Sequence, residues 1–257
     1  MEDLTRYFTI LGEINREAGA IIRRYYGAPI EIERKADFSP VTEADREVER
    51  FLRGKLEKHF PDHLILGEEY GESGTPGAYR WIIDPIDGTK SFLLRTPLFG
   101  TLIALEREGR PVLGSIYLPV QDQWMIGSRE TGTFLNGERC CVSQTKVLRE
   151  AKLMLTDPTA LSDREGSAAI QRLCRSVELT RGFGDCYGYF LVASGVADIM
   201  VDPILEYYDV AALGPIIEGA GGRLSNLDGG SDLRVKNALA TNGFLHEDVL
   251  RVLNEDD

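Results

Sequence analysis

The N-terminal part of the chain carries hydrophobic residues at helical spacing in two stretches. The first covers residues 3–26, and Gly27 directly after it ends the pattern. The second begins after Thr42, which is a suitable N-cap residue, and continues to about Phe60. The pattern therefore predicts two amphipathic helices, separated by the loop "KADFSP".

Short apolar runs follow, and the Gly, Pro and Asn residues between them predict strands joined by tight turns. These runs are "LILG", "YRWIID", "FGTLIALE", "PVLGSIYL", "QWMIGS" and "GTFLNG". Beyond residue 150, strands and helices alternate. The strands are expected near "KLMLT", "SVELT", "ADIMVD" and "NALAT", and the helices near 163–175, 185–195, 209–221 and 244–254.

This order of elements predicts a mixed α/β protein. We expect one domain over residues 1–257, composed of an N-terminal lobe of about residues 1–150 and a C-terminal lobe of about residues 151–257. The composition agrees with this interpretation, because 43% apolar and 27% charged residues are ordinary for a globular protein.

The formal net charge of −12 makes a nucleic-acid partner unexpected, because the chain shows no basic stripe. It does not exclude an anionic substrate, since bound cations can reverse the local field. The four cysteines form no CxxC pair, which favours reduced thiols and a cytoplasmic protein. We expect neither a signal peptide nor a membrane span, because the N-terminus is acidic and no apolar run approaches about 18 residues.

Four short acidic segments are the candidates for chemistry: "TEAD" (42–45), "GEEYGE" (67–72), "DPIDGT" (84–89) and "VDPILEYYD" (201–209). Glu68 and Asp84 each follow a strand-like run, and the carboxyl ends of strands are where open α/β sheets bind ligands. Asp209 is expected to open a helix. Each segment also has a plain structural explanation, as a solvated loop or, for Asp45 and Asp209, as a helix cap.

The segment "DPIDGT" weakens the plain explanation. A strand that runs into Asp84 leaves this carboxylate partly desolvated, which is unfavourable unless the group is paired or bound to metal. Pro85 stiffens the turn and allows Asp84 and Asp87 to face a common point. Gly88 and Thr89 then provide backbone N–H groups and a hydroxyl, the donors of an anion site at a helix start.

Clustered carboxylates repel, so that either their pKa values rise or divalent cations lie among them. Oxygen ligands favour Mg²⁺, and Mg²⁺ beside an anion site is typical of phosphoryl chemistry. The three histidines, His59, His63 and His246, lie outside the acidic segments, and we expect them on the surface.

The segments "GEE", "WIIDPIDGTKSF" and "YYDVAALGPIIEGAGG", together with "KADFSPVTEAD", closely resemble the signature motifs of the inositol monophosphatase family of Mg²⁺-dependent, lithium-sensitive phosphatases. The motifs occur in the family's order over residues 35–222. The resemblance implies a five-layered αβαβα sandwich and a homodimer that acts on a small-molecule phosphate ester.

The resemblance also implies a metal site with two or three Mg²⁺ ions. Glu68, Asp84 and the carbonyl oxygen of Ile86 would hold one ion. Asp84, Asp87 and Asp209 would hold the second.

The same resemblance implies the catalytic groups. Thr89, hydrogen-bonded to Asp45, would orient the attacking water together with Glu68. Asp87 and the backbone amides of Gly88 and Thr89 would lie at the phosphate.

The leaving-group end of the pocket distinguishes the branches of the family. Inositol phosphatases carry small neutral residues where this chain has Gly184 and Asp185, and the segments "GDCYGY" and "VADIMVDP" resemble the histidinol-phosphatase branch. Asp185 and Asp202 would then serve the ammonium and imidazole groups of the substrate. Two alternatives stay open: Asp185 as a helix cap, and Asp202 in place of the glutamate that binds a hydroxyl in inositol phosphatases.

The resulting hypothesis is a Mg²⁺-dependent phosphatase that hydrolyses histidinol phosphate in histidine biosynthesis. An inositol monophosphatase or a sugar-bisphosphate phosphatase of the same family is the alternative. An inactive relative that serves as a binding protein would lack at least one motif residue, whereas this chain has them all. The roles of Lys35, near a third ion or an incoming anion, and of Arg181 are left open.

Overall fold

The computed structural model describes residues 4–29, 32–34, 40–156, 167–232, 234 and 236–254. Lys35 and the first part of the helix predicted at 163–175 lie outside these residues. No helix in the described part of the chain is long and apolar enough to cross a membrane.

The elements are numbered here in chain order. The helices are α1 (Leu4–Tyr25), α2 (Glu43–His59), α3 (Thr89–Leu93), α4 (Ser167–Ser176), α5 (Asp185–Ala193), α6 (Tyr207–Val210), α7 (Leu213–Gly219) and α8 (His246–Asn254). The strands are β1 (Ile32–Arg34), β2 (Pro40–Thr42), β3 (Leu64–Gly67), β4 (Gly71–Gly74), β5 (Tyr79–Asp87), β6 (Gly100–Arg107), β7 (Arg110–Leu118), β8 (Gln123–Ser128), β9 (Gly132–Leu135), β10 (Glu138–Cys140), β11 (Lys152–Leu155), β12 (Leu179–Arg181), β13 (Ile199–Asp202), β14 (Arg223–Ser225) and β15 (Ala238–Thr241).

Two sheets organise the chain. The large sheet has eight strands in the order β10-β9-β8-β7-β6-β5-β3-β4, and the small sheet has five in the order β12-β11-β13-β15-β14. In the large sheet β3 and β5 are parallel, whereas β5 and β6 are antiparallel. Strands β1 and β2 form a separate antiparallel pair.

The alternation of side chains along the strands divides the core into separate layers. In β5, Trp81 and Ile83 pack with α1 and α2, whereas Ile82 faces the opposite way, toward α5 and α7. In the small sheet, Met200 faces this same central helical layer, and Ile199 packs with α4 and α8. The layers therefore run helices, large sheet, helices, small sheet, helices, which confirms the predicted αβαβα sandwich.

Most of the predicted elements are confirmed, with differences at a few boundaries. The helix expected at 209–221 is divided into α6 and α7, and Asp209 is the third residue of the four-residue α6 instead of the first residue of the helix. The short strands β1, β2, β4 and β10 had no clear hydrophobic signal. The change from the large to the small sheet falls between Cys140 and Lys152, while the division into two lobes stays a prediction.

The expectation that all three histidines lie on the surface is wrong. His246 is fully buried at the start of α8, whereas His59 and His63 are half-buried. The hydroxyl groups of Ser225 and Thr241 lie 3.0 Å from Nε2 and Nδ1 of His246, and burial lowers its pKa to about 4. Because both ring nitrogens have a partner, a neutral imidazole can be buried here.

Candidate active site

An irregularity in β5 brings two carboxylates to the same side of the strand. Asp84 pairs with Leu102 and Asp87 with Gly100, so β5 advances three residues while β6 advances two. Residues three apart in a regular strand face opposite ways, whereas the extra residue of a bulge reorients the strand. The hydroxyl of Thr101 donates to the carbonyl oxygen of Pro85 over 2.9 Å and secures the bulge. Asp84 therefore lies inside the strand, and not at its end as the sequence suggested.

Gly88 lies between β5 and α3 and is the N-cap of α3. Its φ of 86° lies in the left-handed region, which glycine adopts without strain. A Cβ atom at this position would lie 3.1 Å from Oδ2 of Asp185 and 3.2 Å from the carbonyl oxygen of Leu98. Only glycine fits this turn, which places the first residue of α3, Thr89, beside the carboxylates.

Asp209 reaches the same point from the central helical layer. The N–H of Glu206 donates to Oδ2 of Asp209 over 2.7 Å in a capping box that fixes α6. Carboxylate oxygens of Asp84, Asp87 and Asp209 all lie within 4.8 Å of one another. The three aspartates expected at the second metal therefore do come together.

Burial and like charge raise the pKa values of these aspartates. Burial is the largest cause for each of them, and Asp84 and Asp87 are only 2% and 9% exposed. The charge of Glu68 further raises the pKa of Asp84, and the charge of Asp185 that of Asp87. The pKa of Asp209 is raised to about 7.

The arrangement of these oxygens fits a hard divalent cation. Carboxylates are drawn together here and raise one another's pKa values, and a divalent cation would remove the repulsion among them. An all-oxygen ligand set is suited to Mg²⁺. Glu68 follows β3, which runs parallel to β5, and its backbone N–H donates to the carbonyl oxygen of Ile83 over 3.3 Å. It therefore lies beside Asp84 of the neighbouring strand.

Thr89 and Asp45 do not form the hydrogen bond that was expected between them. The Thr89 hydroxyl donates instead to the carbonyl oxygen of Ile86 over 3.1 Å. Asp45 Oδ2 accepts from the hydroxyl and backbone N–H of Thr42 over 2.6 and 2.8 Å, because the two residues form a capping box at the start of α2. Burial, and to a smaller extent the charge of Glu68, raises the pKa of Asp45 to about 6.

Asp185 and Asp202 adjoin the cluster. Asp185 is the first residue of α5 and has a φ of 52°, a strained backbone conformation for a non-glycine residue. Asp202 ends β13, is 4% exposed, and accepts from the N–H of Ile204 over 3.3 Å. Burial, followed by the charge of Asp185, raises the pKa of Asp202 to about 8. The N-cap of α5 is Gly184, so Asp185 is not the cap.

Other side chains near the aspartate cluster make contacts that belong to the fold. Tyr189 is buried in the core, and Tyr187 packs half-buried against it. The exposed Arg181 donates to the carbonyl oxygen of Thr180. Sequence reasoning missed Cys186, whose backbone N–H donates to Oδ2 of Asp87. No side-chain pattern could have indicated a main-chain donor.

Comparisons with known proteins identify the family of this chain. A sequence model of the inositol monophosphatase family matches residues 3–256. A histidinol-phosphatase of Chlorobaculum parvum is 39% identical over 90% of this chain and 92% of its own, and one of Mycobacterium tuberculosis is 37% identical over 92% and 94%. The crystal structure of the extragenic suppressor protein suhB of Bartonella henselae superposes with a TM-score of 0.92 at 29% identity, covering 98% of this chain and all of that one.

Proposed function

Because the chain belongs to the inositol monophosphatase family and is a phosphatase, we propose that it hydrolyses histidinol phosphate with Mg²⁺ as cofactor. The observation that carries the choice of substrate is the position of Asp185 and Asp202 beside the aspartate cluster. Two additional carboxylates, the buried Asp202 and the half-buried Asp185, suit a leaving group that is a cation.

The aspartate cluster supports the metal part of the proposal. Asp84, Asp87 and Asp209 would hold one Mg²⁺, and Glu68, Asp84 and the carbonyl of Ile86 a second. The bound ions would stabilise negative charge on the attacking and leaving oxygens. The protein's own part is to hold these carboxylates together in a buried place, where their raised pKa values disfavour ionisation until a cation is bound.

The remaining catalytic groups lie around this centre. Thr89 and Glu68 would orient the water, and the amides of Gly88 and Thr89 would bind the phosphoryl oxygens at the start of α3. Asp45 lies close enough to Glu68 for their charges to interact, and its raised pKa allows it to take up a proton near neutral pH.

The leaving group determines the roles of Asp185 and Asp202. Histidinol carries a primary ammonium and an imidazole that can be cationic, and an ionised carboxylate forms charge-assisted hydrogen bonds with both. Inositol provides only hydroxyls. The homodimer, the cytoplasmic location, the number of ions and inhibition by lithium stay predictions from the sequence.

The test is phosphate release from histidinol phosphate and from inositol 1-phosphate, measured in parallel with Mg²⁺ and with excess chelator. We expect a higher kcat/KM for histidinol phosphate, and no activity in chelator because the site has only oxygen ligands. Full activity in chelator would contradict the metal site. Preference for inositol 1-phosphate would leave only the broader phosphatase assignment.

A charge-removing variant sharpens the test of the substrate. Asp185→Asn keeps the shape but loses the charge, and should lower kcat/KM for histidinol phosphate by about ten- to a hundredfold. The loss should be far smaller for inositol 1-phosphate. Asp202→Asn is measured beside it, and Asp228→Asn, on an exposed loop, is the matched control that should affect neither ester. An equal loss for both esters in Asp185→Asn would refute the pocket argument.

A further inference from the structure

A buried polar stripe runs along α2 on the side that faces the large sheet. Asp45, Glu49 and Arg53 follow one another at four-residue spacing, which places them on one helix face. They are 1%, 0% and 8% exposed, among apolar neighbours. Ionised groups at such depth require hydrogen-bonding partners, and those of Glu49 and Arg53 define what the stripe does.

The partners of Glu49 and Arg53 are the residues that directly follow Glu68. The carboxylate of Glu49 accepts from the backbone N–H of Glu69 over 2.7 Å and from that of Tyr70 over 3.1 Å. It also accepts from Nε of Arg53 over 2.8 Å. The guanidinium of Arg53 contacts the residues that come next in the chain.

Arg53 donates to the carbonyl oxygen of Gly71, and through Nη1 to the hydroxyl of Ser73 over 2.7 Å. The ion pair thus holds both the turn between β3 and β4, at Glu69 and Tyr70, and the start of β4, at Gly71 and Ser73. These bonds join a charge to a neutral group, which makes them stronger than bonds between neutral groups.

Gly67, the residue before Glu68, also lies against the ion pair of Glu49 and Arg53. A Cβ atom at Gly67 would lie 2.1 Å from Oε1 of Glu49 and 2.8 Å from Nη2 of Arg53. Only glycine leaves room for the pair. Since the N–H of Glu68 donates to Ile83 on β5, its backbone is fixed from two directions, by the large sheet and by α2.

We propose that Glu49 and Arg53 are positioning residues for Glu68: they set the turn so that its carboxylate stands at the edge of the aspartate cluster. Neither residue belongs to the cluster itself. The inference rests on the proposed function, because it takes Glu68 as a metal ligand. The competing explanation is an ion pair that contributes to folding alone.

The experiment measures metal binding by the metal-free protein. Mn²⁺ takes the same oxygen ligands as Mg²⁺, and its free concentration is read from its electron paramagnetic resonance signal. In Glu49→Gln the new amide nitrogen cannot accept from an N–H group, so at least one of the three bonds to Glu49 is lost. We expect the Kd for Mn²⁺ to rise at least about tenfold, as for other residues that orient metal ligands.

Two further variants test the same contact from different sides. In Gly67→Ala the new methyl group would displace the carboxylate of Glu49. This variant should therefore raise the Kd for Mn²⁺ as Glu49→Gln does. Arg53→Lys keeps the charge beside Glu49 but loses the forked contact with Gly71 and Ser73, and its effect should be smaller. If Glu49→Gln does not fold, Gly67→Ala and Arg53→Lys decide the matter.

The matched control is another buried carboxylate with a structural role. Asp198 is 2% exposed and accepts from the N–H of Lys152 over 2.7 Å and from the hydroxyl of Ser143. It precedes β13, roughly 13 Å along the strand from Asp202. Asp198→Asn should lower the melting temperature and leave the Kd for Mn²⁺ unchanged.

A reference variant separates this inference from the proposed function. Glu68→Gln must weaken Mn²⁺ binding, and if it does not, the metal site of the proposed function fails. If Glu68→Gln weakens binding whereas folded Glu49→Gln and Gly67→Ala bind Mn²⁺ like the wild type, the positioning role is overturned and the phosphatase assignment stands.

Discussion

Asp87 illustrates, at the scale of one residue, how a buried carboxylate is maintained in this fold. The backbone N–H of Cys186 donates to its side chain and stabilises the charged form. Burial and the charges of Asp185 and Asp209 act in the opposite direction and raise its pKa. The protein alone does not compensate this charge, so we interpret Asp87 as a residue kept for chemistry at the expense of stability.

Replacing Asp87 by Asn should separate these two effects. The turnover number should fall by several orders of magnitude, because a metal charge is lost while the shape is kept. The free energy of unfolding of the metal-free protein should rise at pH 7.5, because burial and like charge raise the pKa of Asp87 and the variant removes the charge that is unfavourable there. Phosphate release and urea denaturation measure the two effects. A variant with wild-type turnover would remove Asp87 from the site.

Helix α2 shows how one element can serve both folding and the site. Its capping box places Thr42 and Asp45 in mutual contact at the N-terminus. Further along, Glu49 and Arg53 hold the turn after Glu68. Because all these groups lie on one rigid helix, a shift of the N-terminal turn moves Asp45 relative to the cluster.

The cap of α2 provides a prediction at this scale. Thr42→Ala removes the hydroxyl that accepts from Ala44 N–H and donates to Asp45, and should lower the free energy of unfolding by about 1–2 kcal/mol. Loss of that donor should also raise the pKa of Asp45 further. Thr42→Ser keeps the hydroxyl and is the control in urea denaturation. Equal stability of the two variants would mean that the cap contributes little.

At the scale of the whole molecule, the site lies where the large sheet meets the central helices. Asp84 and Asp87 come from the large sheet, and Asp209 comes from the helical layer. Asp202 belongs to the small sheet. Folding therefore brings acidic groups from separate layers into one place, and the stability of the whole protein must depend on pH and on cations.

The sign of this pH dependence follows from the pKa shifts. A carboxylate with a raised pKa keeps its proton in the folded protein after the unfolded chain has released it, so stability falls as pH rises. The lowered pKa of His246 acts the other way, but only between about 4 and its ordinary value of 6.5. Between about pH 6.5 and 8 it is therefore the carboxylates that change the stability, with the pKa of Asp209 at about 7 and that of Asp202 at about 8.

We therefore predict that the metal-free protein loses stability from pH 6.5 to pH 8, and that Mg²⁺ reverses the loss. Each carboxylate contributes a slope of up to about 1.4 kcal/mol per pH unit. Asp202→Asn should have a shallower slope than the wild type, whereas the exposed control Asp228→Asn should not. Melting temperatures measured with chelator and with Mg²⁺ check this, and a flat or rising curve in chelator would contradict it.

The parts of this structure that the sequence predicted are those with a local signal. The helical period of α1 and α2 and the "DPIDGT" segment depend on neighbours within a few residues. The bulge that aligns Asp84 with Asp87 depends on its register with β6, which no local pattern contains. Likewise the hydrogen bonds of Glu49 and Arg53 to the residues after Glu68 join α2 to the large sheet, although the four-residue spacing of the two charges on the side of Val48 and Leu52 was a usable signal. His246 was misjudged because its two hydroxyl partners are distant in sequence or come from another element.

The central helical layer also has a consequence for how the chain is made. The large sheet is complete once residue 140 has been synthesised, but α5, α6 and α7, which cover its second face, end only at Gly219. At typical synthesis rates the remaining stretch of about 80 residues takes roughly 4–16 s. For that time the apolar face with Ile82, Leu102 and Ile116 has no partner from its own chain. We therefore expect a ribosome-bound chain that ends before Gly219 to expose this apolar face, which favours aggregation at that stage.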